Sequence, residues 1–240
     1  MSRTLLYLLV TFLVCEARSL SKLQPCHRTD PNLNNCLQSA IQSALQNDMG
    51  YDIPPLDVLT VPAYIVKATE SLSFDHTETD IRIGGHLSSE IKDVDAKIGE
   101  SDFSLSFNVF IKNASYEANY DYKGAIFDGV DMSGKGRKVF LGDNFRFTST
   151  FNGVVNQNGD YRYLKITDVS LNGPIIEMAH FTFESEDGKS GELLTKLMNQ
   201  NWKSILRGET KKYMTIYEEA YKKGANTVFS KIPYDILFPK

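Results

Sequence analysis

The sequence is short of the residues that most catalytic and metal-binding sites need. Its 240 residues include three cysteines and four histidines, and no two histidines have the i, i+4 spacing of a helical metal site. The G-x-S-x-G motif of many hydrolases is missing. The segment 129–135 is similar to a phosphate-binding loop, but Gly136 stands where Ser or Thr would hold Mg²⁺. We therefore predict no enzyme activity, metal or cofactor, with a triad assembled from distant residues as the alternative.

Basic residues are also too few and too scattered for a nucleic-acid-binding surface. The chain has 26 Lys and Arg against 30 Asp and Glu, a formal net charge of -4. Proteins that bind phosphate backbones collect their positive charge on one face. We predict no nucleic-acid partner.

No apolar run is long enough to cross a bilayer, which takes about 18 residues or more. The run from Leu5 to Val14 follows Arg3 and precedes Cys15-Glu16-Ala17, where small residues suit a signal peptidase. The sequence thus predicts a signal peptide over 1–17, secretion, and no stable membrane insertion.

Cleavage after residue 17 changes the cysteine count. Cys15 leaves with the signal peptide, and Cys26 and Cys36 remain as a pair in an oxidising compartment. We predict a disulfide between them, which would stabilise the fold by about 2.5 to 3 kcal/mol through loop-closure entropy. Reactive or metal-binding thiols are the alternative, but these usually come with His or further Cys partners.

The most extended pattern in the chain is a helical repeat of apolar residues from Ser190 to about Ser230. Such a helix would be roughly 60 Å long, whereas a compact sphere of this size would be about 45 Å across. We therefore predict an elongated domain in which the other elements lie along this helix. The apolar stripe consists of Leu194, Met198, Trp202, Ile205, Tyr213, Ile216 and Ala220.

Glu209 interrupts this stripe. It could hold the polar group of a ligand. The alternative, which we favour, is that it marks the place where the stripe meets water or bends near Gly208, because a charged group on an apolar stripe is usually near an exposed end.

A second, shorter helix is predicted near the N-terminus. Thr29-Asp30-Pro31 offers an N-cap followed by proline at the first helical position, and apolar residues then recur from Leu33 to Leu45. Gly50 can end this helix. The prolines between Ile53 and Pro62 predict an extended connector.

Between Tyr64 and Phe183 the apolar period changes to two, which predicts a long antiparallel meander. Asn158-Gly159 should be the two turn residues of a hairpin that sets Phe151 opposite Ile166. Asn113 begins the one N-glycosylation sequon, which we place in an exposed turn. Bends are expected at the glycines Gly84, Gly85, Gly124 and Gly153.

Several ordered motifs resemble the takeout and juvenile-hormone-binding proteins of insects. One lies around Cys26 and Cys36 and continues through 53–62, and another is the tail from Val228 to Phe238. Tyr120-Asp121-Tyr122, Gly134-Lys135-Gly136 and Asn201-Trp202 also match. The likeness covers essentially all of the chain after the signal peptide.

This resemblance implies an α+β tubular lipid-binding fold, in which a highly curved antiparallel sheet wraps the long helix and encloses an apolar tunnel. It implies one domain over 18–240. Hormone carriers of the family have a second disulfide, which this chain lacks, so the takeout branch is closer and juvenile hormone is in doubt as the ligand. The expected tunnel-lining residues are Phe147, Phe151, Phe181, Phe183, Met198, Trp202, Ile205, Leu206, Tyr213 and Ile216.

We therefore predict a monomeric, secreted carrier of a lipophilic small molecule of isoprenoid or fatty-acyl type. An apolar tunnel binds by excluding water and needs no nucleophile. The alternative is a secreted signalling or interaction protein whose apolar core holds no physiological ligand.

Overall fold

A computed structural model describes residues 24–47, 49, 52–68, 74–127 and 129–240. An antiparallel sheet curls around helix α2 (Lys189–Phe229), which is 41 residues long. Helix α1 (Leu33–Gln46) packs on the sheet near one end, and α3 (Tyr234–Leu237) follows α2. The predicted α+β fold and long helix are confirmed. The predicted signal peptide and Gly50 lie outside the described residues.

Among the described residues, seven strands form the curled sheet, and two short strands form a separate hairpin. The strands are β1 (Leu59–Val66), β2 (His76–Gly84), β3 (Ser89–Ile98), β4 (Asp102–Tyr122), β5 (Ile126–Phe127), β6 (Val130–Asp131), β7 (Gly134–Asn158), β8 (Tyr161–Ile175) and β9 (Met178–Ser185). The order is β1-β2-β4-β7-β8, with β3 also paired to β4, β9 also paired to β7, and β5 paired to β6. The pairing is antiparallel throughout, as predicted, but β4 and β7 each change partner along their length, so the sheet is not a simple meander.

Bulges at polar residues produce much of the curvature. Asp80 and Asp93 have positive φ at the two places where the registers of β2 and β3 against β4 shift. Asn144 has the same conformation within β7. Asp and Asn tolerate this left-handed backbone better than other non-glycine residues. Of the glycines expected to bend the sheet, Gly153 lies at a register shift between β7 and β8, and Gly85 adopts φ +101° where β2 ends.

Strand β4 shows the predicted alternation in two phases. Its buried residues are Phe103, Leu105, Phe107, Val109 and Ile111, followed by Ala114, Tyr116, Ala118, Tyr120 and Tyr122. Lys112 and Asn113 are both exposed between the two series. Asn113 pairs with Asp143 within the sheet, so its predicted location in a turn is wrong, because β4 continues past it while changing partner from β3 to β2.

The hairpin between β7 and β8 is displaced from the predicted register by two residues at the turn, and by three beyond the bulge between Asn152 and Gly153. Asn158 pairs with Tyr161, so Gly159 and Asp160 are the turn residues, and Phe151 lies opposite Val169 rather than Ile166. Gly159 has φ +61°, and glycine at the first turn position is typical of a type II′ turn. A shift of two residues preserves the face, and Phe151 and Ile166 are both buried as predicted.

The N-terminal segment confirms the disulfide and corrects the start of the first helix. Cys26 and Cys36 are bonded, with a Cα–Cα distance of 5.7 Å. Helix α1 begins at Leu33 with Asn32 as its N-cap. Asp30 Oδ1 instead accepts the backbone N–H of Asn32 at 2.7 Å, an Asx turn that places Pro31 before the helix.

Side chains of α2 form hydrogen bonds with backbone N–H and C=O groups at the open edges of β8 and β9. Asn226 bonds both the N–H and the C=O of Ile166, at 2.8 and 3.0 Å. Asn199 does the same for Phe181, at 2.8 Å to each group. Unpaired strand edges are otherwise prone to bind other chains. The amides therefore fix the helix against both edges of the sheet.

Candidate functional site

A cavity of about 210 Å³ lies between α1, the C-terminal half of α2, α3 and strands β3, β4 and β7. Its wall is almost entirely apolar. Among the side chains that line it are Leu37, Ile41, Ile91, Phe103, Leu105, Phe107, Val109, Phe151, Phe229 and Phe238. Apolar pockets of this kind bind ligands mainly by removing apolar surface from water.

Small residues on the two helices keep this space open. Ala40 and Ala44 lie one turn apart on α1, and Gly224 and Ala225 follow each other on α2. At Gly224 a Cβ atom would come within 3.0 Å of Leu59 Cδ2. Larger side chains at these positions would fill the cavity or push the helices from the sheet.

Two polar residues also line the cavity: His86, which is buried, and Tyr221, which is half-buried. His86 Nδ1 lies 2.7 Å from the carbonyl oxygen of Asp57, and Nε2 lies 2.8 Å from the Tyr221 hydroxyl. Burial lowers the pKa of His86 and raises the pKa of Tyr221, so the pair is neutral. A third polar group of the wall, the Ser89 hydroxyl, donates to the His86 carbonyl oxygen at 2.6 Å.

Further along α2, a second group of buried polar side chains fills the interior. We define this polar cluster as His76, Glu78, Tyr116, Lys138 and Tyr213. Glu78 is fully buried, and its carboxylate accepts from the Lys138 ammonium, from Tyr116 at 2.5 Å, from Tyr213 at 2.9 Å and from His76 Nε2 at 3.1 Å. Lys138 also donates to the Tyr213 oxygen at 2.8 Å.

The electrostatics of the polar cluster favour an ionised Glu78. Burial alone would raise the pKa of Glu78, but the Lys138 ammonium and the His76 donor bring it down to about 2. Burial and the Glu78 charge raise the pKa values of Tyr116 and Tyr213 well above their usual range. The cluster is therefore a buried ion pair whose carboxylate accepts further hydrogen bonds from His76, Tyr116 and Tyr213, the arrangement that a buried charge needs.

Glu209 belongs to the same region. It is 1 % exposed within the continuous helix α2, so the interpretation that the stripe meets water there is wrong. Its charge raises the pKa of Lys138, against a larger lowering by burial. Glu209 thus adds negative charge beside the polar cluster.

The residues expected to line a tunnel are distributed over four places. Phe151 lines the cavity. Phe147 and Ile216 are buried in the apolar core around the cavity but do not line the cavity. Tyr213 belongs to the polar cluster. The remaining six lie beyond the polar cluster in a second apolar core, near the N-terminal half of α2. These are Phe181, Phe183, Met198 and Ile205, which are buried, and Trp202 and Leu206, which pack against them.

Sequence reasoning missed most of the cavity wall. The helical stripe indicated burial along all of α2, but the open space lies where its residues become small, at Gly224 and Ala225. A matching pair of alanines, Ala40 and Ala44, occupies α1. Pairs of small residues on two helices were the signal that could have located the cavity.

The sequence model of the haemolymph juvenile hormone binding proteins matches residues 5–239. The chain belongs to this family. The crystal structure of Epiphyas postvittana Takeout 1 superposes on it with a TM-score of 0.69 at 15 % identity, covering 91 % of this chain and 100 % of that one. This match shows that the juvenile hormone binding protein family's tubular fold is present here.

A crystal structure of lipopolysaccharide binding protein also aligns, at 10 % identity and a TM-score of 0.33, over 89 % of this chain and 40 % of that one. No curated protein matches the chain. Within the described residues, no helix combines the length and apolar character of a membrane span. The same residues contain no group of three or more His, Cys, Asp or Glu side chains arranged to hold a metal ion.

Proposed function

We propose that the chain is a secreted carrier that binds a lipophilic small molecule without catalysis, and that the ligand occupies the cavity beside α1. The observation that carries this proposal is a cavity of about 210 Å³ with an almost wholly apolar wall. The family is named for binding a lipophilic hormone, which supports the same class of ligand.

The size of the cavity restricts the ligand. An engineered apolar cavity of about 150 Å³ takes up benzene, so 210 Å³ suits a ligand of roughly eight to ten non-hydrogen atoms inside the wall by simple proportion. A longer isoprenoid or acyl chain would have to extend out of the cavity or displace α1. We therefore propose that the ligand is one of the shorter members of the fatty-acyl or isoprenoid class.

The test is displacement of the fluorescent probe N-phenyl-1-naphthylamine from delipidated protein by short and long alcohols, acids and terpenes. The probe is larger than the cavity, so we expect saturable binding in the wild type with its naphthalene ring inside the apolar wall and its phenyl ring extending out. Ala40→Trp places an indole at the wall and should weaken binding by about tenfold or more. Ser39→Trp is the matched control, because Ser39 is the exposed neighbour of Ala40 on α1, and should bind as the wild type does.

Native mass spectrometry of protein secreted from insect cells gives an independent result. A retained small molecule that disappears on denaturation would support the carrier. If the wild type binds neither the probe nor any member of the panel and carries no extractable molecule, the carrier proposal fails and the interaction-protein alternative replaces it.

A further inference from the structure

The direction of the hydrogen bonds at His86 and Tyr221 restricts the chemistry of a ligand in the cavity. The Asp57 carbonyl oxygen can only accept a hydrogen bond, so His86 Nδ1, at 2.7 Å from it, carries the proton. In the neutral imidazole the other nitrogen, Nε2, then has a lone pair and no proton. The hydrogen bond of 2.8 Å between Nε2 and Tyr221 must therefore be donated by the tyrosine hydroxyl.

This arrangement uses up the hydroxyl protons of Tyr221, which is half-buried, and of Ser89, which is buried. The Tyr221 proton is held by His86, and the Ser89 proton is held by the His86 carbonyl oxygen at 2.6 Å. What Tyr221 and Ser89 still offer is oxygen lone pairs. The other polar side chains at the cavity lie apart from them: Gln24 and Asn47 are exposed, and the half-buried Ser43 on α1 accepts from Asn47 Nδ2 at 3.3 Å. The polar wall formed by His86, Tyr221 and Ser89 thus presents acceptors.

We infer that the cavity selects lipophilic alcohols, whose hydroxyl donates to Tyr221, over ketones, esters and ethers of the same size. The inference rests on the proposed carrier function and names the class of ligand. An acceptor-only ligand would either leave its oxygen unpaired in an apolar site or take the Tyr221 proton and leave His86 Nε2 unpaired. Both results are unfavourable, because a buried polar group without a partner loses its hydration with no compensation.

Neighbouring contacts keep the pair in place. The rings of His86 and Tyr221 meet edge to face with centroids 5.4 Å apart, and Tyr221 is also edge to face with Phe147 at 6.0 Å. Leu87 donates its backbone N–H to Asp57 Oδ1 at 2.9 Å, which fixes the loop that supplies the carbonyl. A rigid pair cannot rotate readily to donate to a ligand, so the selectivity is built into the wall.

The test is calorimetric titration of delipidated protein with octan-2-ol, octan-2-one and 2-methyloctane, which share one carbon skeleton length. We expect octan-2-ol to bind about fivefold to tenfold more tightly than octan-2-one, the ratio that a net hydrogen bond of this kind confers. Equal binding of all three would overturn the inference and leave the carrier proposal standing. Binding of none of them, together with no probe binding, would overturn the carrier proposal itself.

The variant His86→Phe tests the direction of the hydrogen bond, because it removes the acceptor of the Tyr221 hydroxyl proton. That proton can then be donated to a ligand. The alcohol-to-ketone affinity ratio should then fall to about one, mainly through tighter binding of the ketone. Tyr217→Phe is the matched control: Tyr217 is a buried tyrosine one turn away on α2 and does not line the cavity, so the ratio should stay at its wild-type value. A ratio unchanged in folded His86→Phe would contradict the inference.

Nitrogen-15 NMR of histidine-labelled wild type gives a readout that does not depend on folding of a variant. The resonances of His86 should show a protonated Nδ1 and an unprotonated Nε2 between pH 7 and 8, because burial lowers the pKa of this residue. A protonated Nε2 in that range would reverse the donor direction and overturn the inference even if His86→Phe fails to fold.

Discussion

The cavity beside α1 and the polar cluster are two regions of one interior, enclosed by the same long helix and the same long strands. At the cavity, alanine and glycine on two helices leave the apolar walls apart. At the polar cluster, long polar side chains from β2, β4, β7 and α2 meet and bond one another. Tyr213, Tyr217 and Tyr221 connect the regions at successive turns of α2. Side-chain length at facing positions therefore decides whether the interior of this tubular fold is an open cavity or is filled by side chains.

The polar cluster also sets a boundary for any apolar ligand. An apolar ligand that extends from the cavity along α2 first meets Tyr217. It then meets the buried Glu78–Lys138 pair, which lies beside α2 two turns from the cavity. Displacing that pair would separate two buried charges, which is costly. We therefore expect apolar ligand to stop at this point.

The largest effect should come from breaking the ion pair of the polar cluster. Lys138→Met leaves the Glu78 charge buried without its cation and should lower the free energy of unfolding by about 3 to 5 kcal/mol. Lys135→Met, on the same strand, removes an exposed pair with Glu186 and should cost about 1 kcal/mol or less. Chemical denaturation measures both. Equal losses in the two variants would show that the cluster is no more coupled than a surface pair.

Acid should weaken this region through Glu78. Its pKa is about 2 in the folded protein against an ordinary value of 4.5, so the unfolded chain binds the proton more tightly. The stabilisation is complete above pH 4.5 and is lost as the pH falls towards 2. The difference in unfolding free energy between wild type and Glu78→Gln should therefore shrink over this window. Parallel pH curves for the two proteins would contradict the assignment.

The smallest expected effect is at Trp202, the single tryptophan. It packs partly buried against the second apolar core, beyond the polar cluster, and does not line the cavity. Filling the cavity with octan-2-ol should leave its emission maximum and intensity unchanged, while N-phenyl-1-naphthylamine is displaced. A saturable Trp202 response would show that ligand passes the polar cluster and reaches the residues first expected to line a tunnel.

Much of the fold follows from local patterns. The stripe on α2 and the alternation in β4 depend on spacing within one segment, and both are observed. The hairpin register was displaced because Asn158-Gly159 and Gly159-Asp160 are both acceptable turns, and only pairing across β7 and β8 distinguishes them. The bends at Asp80, Asp93 and Asn144 were missed because glycine is the usual signal for a bend, whereas Asp and Asn are common throughout polar strand faces.

The site was harder to predict than the fold. Apolar periodicity shows that Met198, Trp202 and Ile205 face inward, but it cannot show whether the space opposite them is filled. That depends on residues far away in sequence, such as Phe181 and Phe183 on β9. The polar cluster has the same origin: Glu78 and Tyr213 lie 60 and 75 residues from Lys138 in the sequence, and no local motif connects them.

The ends of the described chain lie side by side. The backbone N–H of Cys26 donates to the Leu237 carbonyl at 2.9 Å, and that of Arg28 donates to the Pro239 carbonyl at 2.8 Å. Leu237 and Phe238 line the cavity together with Cys26. An affinity tag fused at residue 240 would therefore emerge beside the cavity wall, and trimming the last four residues would remove part of it. Protein for ligand measurements should therefore retain Leu237 and Phe238, and any affinity tag should be removed by a protease.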